Sequence, residues 1–191
     1  MSIALFDIDT QLDFLVPAGA LYVPGAERIL DKVARLNHHA AAQGIPLFST
    51  MDAHAENDPE FRDWPPHCVV ETFGQHKPES TLIAGRIVLS ARATAIVKGP
   101  QVLVEKTTFD CFTNPMLEPT LAELGITEAV VYGVVTEVCV ALAVRGLLRT
   151  GRRVTLVVDA IMSLNDAKAQ DLEAEVLAAG GRLTTTSQIC D

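Results

Sequence analysis

The chain has 191 residues, 49% of them hydrophobic and 20% charged, which excludes disorder for its bulk and points to one globular domain spanning residues 1–191. A net charge of -9 repels phosphate backbones and argues against nucleic-acid binding. The most apolar stretch is broken by Glu137 and is too short to span a bilayer, so no membrane role is expected.

In chain order, residues 2–8 (SIALFDI) read as a buried strand. MSIALFDID has no basic start and meets Asp7 at once, so no signal peptide is expected and the cytoplasm is the expected location. Cys68, Cys111, Cys139 and Cys190 form no C-x-x-C pair and are expected to stay reduced. Residues 25–43 read as an amphipathic helix with Ile29, Leu30, Val33 and Leu36 on one stripe and Gly44 just past its end. A strand is predicted over 45–50, followed by a long polar, proline-containing segment over 52–80, a length that marks a functional loop. RIVLSAR and TAIVKG read as small strands or a hairpin, and 102–106 as a strand. Thereafter a helix over 115–124, a strand over 128–135, a helix over 137–149, a strand over 153–159, a helix over 166–179 and a last strand over 182–186 are predicted. Strands apolar on both faces, alternating with helices, imply a three-layer α/β/α sandwich around a mostly parallel sheet. In such sheets the site lies beyond the carboxyl ends of the strands, where Asp9, Asp52, His54, Lys106, Cys139 and Asp159 fall.

Three clusters at those ends carry chemistry. Thr136 has the character of an N-cap, which makes Cys139 the third residue of a helix whose N-terminal dipole favours a thiolate. The alternative is a small core residue facing the sheet. Asp7 and Asp9, two apart, would share a face of an extended chain, and a carboxylate buried there needs a partner, which Lys106 could supply. That gives a nucleophile, a base and a charge stabiliser, or equally a structural ion pair. Asp52 and His54 follow a strand and His67 sits in the W-P-P-H turn, ligand types that suit zinc, manganese or iron, with Asp58, Glu60 and Asp63 as further oxygen donors. His38 and His39 lie on a helix, and neither they nor His76 is given a role.

The motifs together resemble those of the nicotinamidases and, more broadly, the isochorismatase-like cysteine hydrolases. The D-x-Q-x-D-F element is Asp9–Phe14, D-x-H is Asp52–His54, W-P-x-H-C is Trp64–Cys68, the strand-end lysine is Lys106, and G-V-x-T-[DE]-x-C-V is Gly133–Val140. The resemblance implies a triad of Asp9, Lys106 and Cys139, and metal ligands Asp52, His54 and His67 with Glu60 or water as a fourth. It also implies a cis peptide at Val134–Val135, an oxyanion hole from the Val135 and Cys139 amides, and pocket walls from Phe14 and Trp64. The implied cofactor is a divalent metal, zinc first and manganese or iron as alternatives, which takes the ring nitrogen of a pyridine substrate. The implied reaction is amide hydrolysis of nicotinamide type, a step of pyridine-nucleotide salvage, by a homo-oligomer acting on a small-molecule amide. Three positions depart from the pattern: Asp7 replaces an apolar residue, Glu71 replaces Gly, and TTFDCFTN follows Lys106. Rival readings are a carbamoyl or ureido amidase, an isochorismatase proper, a catalytically silent scaffold, and a haloacid-dehalogenase-like phosphatase with Asp7 as phosphoryl acceptor.

Overall fold

The computed structural model describes residues 2–191. Seven strands form one all-parallel sheet in the order β3-β4-β2-β1-β5-β6-β7: β1 Ser2–Ile8, β2 Leu47–Asp52, β3 Ile87–Leu89, β4 Gln101–Lys106, β5 Ile126–Val134, β6 Arg153–Met162 and β7 Arg182–Thr184. Six α-helices connect and cover them: α1 Leu12–Leu15, α2 Leu30–Gln43, α3 Leu117–Glu123, α4 Ala141–Arg149, α5 Asp166–Ala178 and α6 Thr186–Cys190.

Side chains alternate across the sheet with period two and feed two cores. From β1 and β5, Ala4, Phe6, Ile8, Ala129 and Val131 pack under α3, α4 and α5 with Leu121, Val144 and Val176. Leu5, Val130, Tyr132 and Val134 face the other way, onto Val33, Leu36 and Ala40 of α2. The stripe predicted for α2 is therefore the buried one, and Gly44 ends the helix in the left-handed region, φ 64°, its N–H bonded to the Ala40 and Ala41 carbonyls.

The structure corrects several expectations. RIVLSAR and TAIVKG form no hairpin: only Ile87–Leu89 is a strand, and it runs parallel to β4, which requires a crossover rather than a tight turn. Residues 94–99 form no strand; Val97 packs against the core as part of that crossover. The last strand stops at Thr184 because Thr185 opens α6 through a reciprocal capping box with Gln188.

β1 is the centre of the sheet, and winding proceeds outward from it in both directions. That arrangement gathers the carboxyl ends of β1, β2, β4 and β5 along one edge, with Asp52 and Lys106 directly paired across the β2–β4 ladder. Gly133 is required beside them: at φ 122° its backbone passes so close to β1 that a Cβ would sit 2.1 Å from the Ile8 carbonyl oxygen. The Val134–Val135 peptide just beyond is cis.

Candidate active site

Asp7 and Asp9 do not share a face. β1 ends at Ile8 and Asp9 turns into the left-handed region, φ 47°, which swings its carboxylate out of the strand's alternation. Asp7 stays on the α2 face, fully buried, where Lys77 pairs with it at 3.2 Å and the Thr10 hydroxyl, the Asn37 amide and the Ser49 hydroxyl donate at 2.6, 3.1 and 3.1 Å. With every lone pair engaged and no exposure to solvent, Asp7 is a structural ion pair and not a phosphoryl acceptor.

Asp9 instead meets Lys106 and Cys139. Thr50 Oγ1 donates to Asp9 Oδ1 at 2.6 Å, and the Asp9 N–H is fixed by Thr50 as well. Asp9 Oδ2 lies 2.9 Å from Lys106 Nζ as an ion pair without an aligned hydrogen bond, so its lone pair is left for the Cys139 thiol. Lys106 Nζ stands 4.0 Å from Cys139 Sγ and 2.5 Å from Asp52 Oδ1. One buried ammonium therefore bridges the candidate triad to the candidate metal ligands, a link the sequence reading did not make. Burial works against the charge on Lys106, but Asp52 and Asp9 outweigh it and hold its pKa well above the ordinary lysine value.

Cys139 lies in a π-turn, Thr136–Val140, and not at the third position of an α-helix. Thr136 is no cap: its hydroxyl is buried with no hydrogen-bond partner among the described residues, and Val135 occupies the N-cap position. The expected thiolate is also reversed. Burial raises the Cys139 pKa well above the thiol value, and the nearby Asp9 and Asp52 add to this against the opposing pull of Lys106. The resting nucleophile is a thiol beside a carboxylate whose Oδ2 has no other hydrogen-bond partner.

Asp52, His54 and His67 present ligand atoms that all lie within 4.8 Å of one another, and all three residues are buried. Each imidazole is oriented from behind. His54 Nδ1 faces Asp58 Oδ2 at 3.1 Å without an aligned hydrogen bond, and His67 Nδ1 donates to the Pro65 carbonyl at 2.8 Å. Both Nε2 atoms are thereby turned toward Asp52, at 4.0 and 3.9 Å, and Glu60 Oε1 is 3.7 Å from His67 Nε2. His54 Nε2 is buried with no hydrogen-bond partner, a lone pair that a divalent cation would satisfy. The donor set fits such an ion: two imidazole nitrogens, Asp52, and Glu60 within reach. Burial raises the Asp52 and Glu60 carboxyls above their ordinary values, a direction that a bound cation would reverse. Burial also acts to raise Asp58, but the Glu60 N–H and His54 prevail and hold it low.

Several supporting roles were not read from sequence, and Asp58, expected as a further oxygen donor to the metal, stands instead behind His54. Asp58 caps the 3₁₀ turn Pro59–Arg62 through the Glu60 N–H at 2.9 Å while orienting His54, and Phe61 packs its ring against both imidazoles at 5.3 and 5.7 Å. Gln11 clamps the Asp52 backbone from both sides, accepting its N–H at 2.7 Å and donating to its carbonyl at 2.8 Å. Asp13 accepts the Cys68 N–H at 2.7 Å and so pins the turn that carries His67. Only the polar D-x-Q-x-D spacing hinted at these roles. Asp159 is not part of the site; it accepts from the Thr186 N–H and hydroxyl at the start of α6. Glu71, at the position of the expected glycine, takes φ 69°.

A cavity of about 90 Å³ opens above this cluster. Asp52, His67 and Cys139 meet walls of Phe14, Leu21, Tyr22, Val23, Phe109, Val135 and Val138, with Trp64 and Leu164 also lining it. Phe14 and Trp64 are among the residues that line it; the other walls were not foreseen. Drug-sized ligands take cavities of roughly 300–1,000 Å³, so this one suits a much smaller molecule.

An isochorismatase domain model matches residues 3–188. The chain is 27% identical to a nicotinamidase of Escherichia coli over 95% of its own length and 94% of that protein's. It is 30% identical to a streptothricin hydrolase of Streptomyces noursei over 92% of its length, but spans only 55% of that relative. Among solved structures, pyrazinamidase of Pyrococcus horikoshii in complex with zinc superposes with a TM-score of 0.80 at 26% identity, covering 97% of this chain and 99% of that one.

Proposed function

Because the chain belongs to the isochorismatase domain family, we propose that it is a metal-dependent cysteine amidohydrolase acting on a small, flat carboxamide of the nicotinamide type. The observation that carries this reading is the convergence of Asp9, Lys106 and Cys139 on one small apolar cavity whose walls include Asp52 and His67.

Asp9 Oδ2 takes the proton from Cys139 Sγ as the sulfur adds to the amide carbonyl carbon. The thiol is held protonated at rest, so the transfer occurs within the substrate complex. The oxyanion is assigned to the Val135 and Cys139 N–H groups, each such donor contributing about 3 kcal/mol. Asp9 returns the proton to the leaving nitrogen, ammonia departs, and a thioester to Cys139 remains. A water then attacks the thioester carbon, Asp9 accepts the water's proton, and acid and free thiol are regenerated. Lys106 keeps a positive charge beside Asp9 and Cys139 through every step, so net negative charge does not build up in the buried site. Asp52, His54 and His67, with Glu60 or water, would hold a divalent cation, zinc by preference, that supplies a Lewis-acidic anchor for a ring nitrogen of the substrate. Phe14 and Trp64 flank the ring and orient it toward sulfur, which is catalysis by positioning.

Ammonia release from nicotinamide, pyrazinamide, benzamide and an N-carbamoyl amino acid, with metal content measured on the same preparation, tests the reading. Nicotinamide and pyrazinamide are expected to react well and benzamide poorly. Equal rates on benzamide and nicotinamide, or full activity without metal, would overturn the nicotinamide assignment and move the substrate to the carbamoyl class.

A further inference from the structure

Glu137 belongs to the turn that carries Cys139, yet none of the chemistry above uses it. Its carboxylate reaches out to the segment that follows β6. Glu137 Oε2 accepts from the Ser163 hydroxyl at 2.7 Å, and Oε1 accepts the Leu164 N–H at 3.1 Å. Ser163 Oγ also accepts the Asn165 N–H at 2.9 Å, and the Asn165 side chain caps α5 through the Ala167 and Lys168 N–H groups. Leu164 is thus tied on one side to the helix start and on the other to the nucleophile's own turn. Its side chain lines the cavity although it is 60% exposed, so it forms an outer wall of the mouth. The rest of the rim is aromatic: Trp64, 42% exposed, meets Phe109 edge-on with ring centroids 6.1 Å apart.

We propose that Leu164 is a specificity-determining residue at the mouth of the cavity and that Glu137 is the positioning residue that fixes it there, so that access to Cys139 is restricted to narrow, single-ring molecules. This rests on the reading of Cys139 as the nucleophile reached through that cavity. An apolar side chain on a short loop moves away from a pocket when the loop backbone moves; the bonds from the Ser163 hydroxyl and the Leu164 N–H to one carboxylate fix that backbone. Because the carboxylate comes from the turn bearing Cys139, any shift of the mouth is measured against the sulfur itself.

The test needs no substrate. Alkylation of Cys139 by iodoacetamide is compared with alkylation by its N-naphthyl derivative, in a Cys190→Ser background that removes the half-exposed cysteine. The modified residue is identified by peptide mass. The two reagents share one reactive group, so the ratio of their rates cancels the intrinsic reactivity of the thiol and reports the width of the mouth. Leu164→Ala is expected to raise the naphthyl-to-parent ratio about tenfold, the scale of a small steric change in a pocket. Glu137→Ala is expected to raise it as much, the double variant no further, and Glu137→Gln and Ser163→Ala, which each keep one of the two hydrogen bonds, by less. An unchanged ratio in Glu137→Ala, or effects of Glu137→Ala and Leu164→Ala that multiply, would overturn the proposal. Melting curves accompany each variant, and if Glu137→Ala does not fold, unchanged ratios in both Glu137→Gln and Ser163→Ala overturn it equally. An unchanged ratio while nicotinamide is still hydrolysed would sink the mouth and leave the amidase; the expected ratios with no amide hydrolysed would sink the amidase and leave the mouth.

Discussion

Replacing Lys106 with Met keeps most of the side-chain volume and removes one charge from the most crowded polar point of the molecule. Lys106 is 1% exposed, with its ammonium 2.9 Å from Asp9 and 2.5 Å from Asp52. At an effective dielectric of ~20, each attraction is worth about 6 kcal/mol before the cost of burying the ions is subtracted. Removing one partner of a buried ion cluster typically costs ~3–5 kcal/mol, because the remaining charges stay buried and uncompensated. For a chain of this size that is a fall in Tm on the order of 10 °C. Urea unfolding of Lys106→Met at pH 8 in the presence of a chelator reads the full cost, since a cation at Asp52 would offset part of it. The diagnostic comparison is Lys106→Met/Asp9→Asn. Asp9→Asn alone is expected to destabilise modestly, yet in the Lys106→Met background it should restore stability, because it removes an uncompensated buried charge. The sign of the pH dependence follows. Burial already raises the Asp52 carboxyl, and losing the opposing pull of Lys106 takes its folded-state value further above the unfolded one of about 4. The folded state then binds more protons, so the deficit of Lys106→Met should shrink as pH falls from 8 toward 5. If Lys106→Met is as stable as the parent, or the double variant is less stable than Lys106→Met, the ion cluster is not what the distances imply.

Asp58→Ala should weaken zinc binding ~10–100-fold by freeing the ring of His54, the usual scale for an outer-shell partner, measured by competition with a chromogenic chelator; unchanged affinity would show that the orientation is set elsewhere. In metal-free protein the Cys139 thiol is held well above the ordinary thiol pKa by burial and by Asp9. Its alkylation rate should therefore keep rising about tenfold per pH unit up to pH 9, where a plateau below pH 8 would contradict the raised pKa. Glu71→Gly relieves a left-handed backbone, φ 69°, at an exposed turn and should raise stability by about 1 kcal/mol in urea unfolding; no gain would mean the turn carries no strain.

Five of the seven strands, β1, β2, β4, β5 and β6, were legible because most of their residues are apolar on both faces, the pattern of a covered parallel sheet, while β7, with Arg182 exposed, showed only as a short β-prone run; β1 and β4 fall within a residue of the expected limits. β3 was hard to place because its Ile87 and Val88 are exposed and a three-residue edge strand has no period of its own. The motif residues Asp9, Asp52, His54, Lys106 and Cys139 could be read because each stands at or just past a strand end. Asp58, Phe61, Gln11 and Leu164 could not, since their roles depend on how the 52–80 loop and the turn after β6 fold back over the edge. The thiolate expectation failed for a related reason: a local motif reports the turn, but the pKa is set by burial and by carboxylates from two other strands. The capping box at Thr185 and Gln188 was readable and would have separated α6 from β7.

The central place of β1 has a consequence for how the chain is made. β2 can pair with one edge of β1 soon after it emerges, but the other edge waits for β5, which begins only at Ile126. Until then a growing half-sheet of β3, β4, β2 and β1 presents an unpaired strand that is apolar on both faces, the kind of edge on which chains associate. Synthesis at roughly 5–20 residues per second leaves that edge open for seconds. The most enclosed strand of the finished molecule is thus its most exposed liability at birth, and nascent chains stalled before β5 are the ones that would need a chaperone.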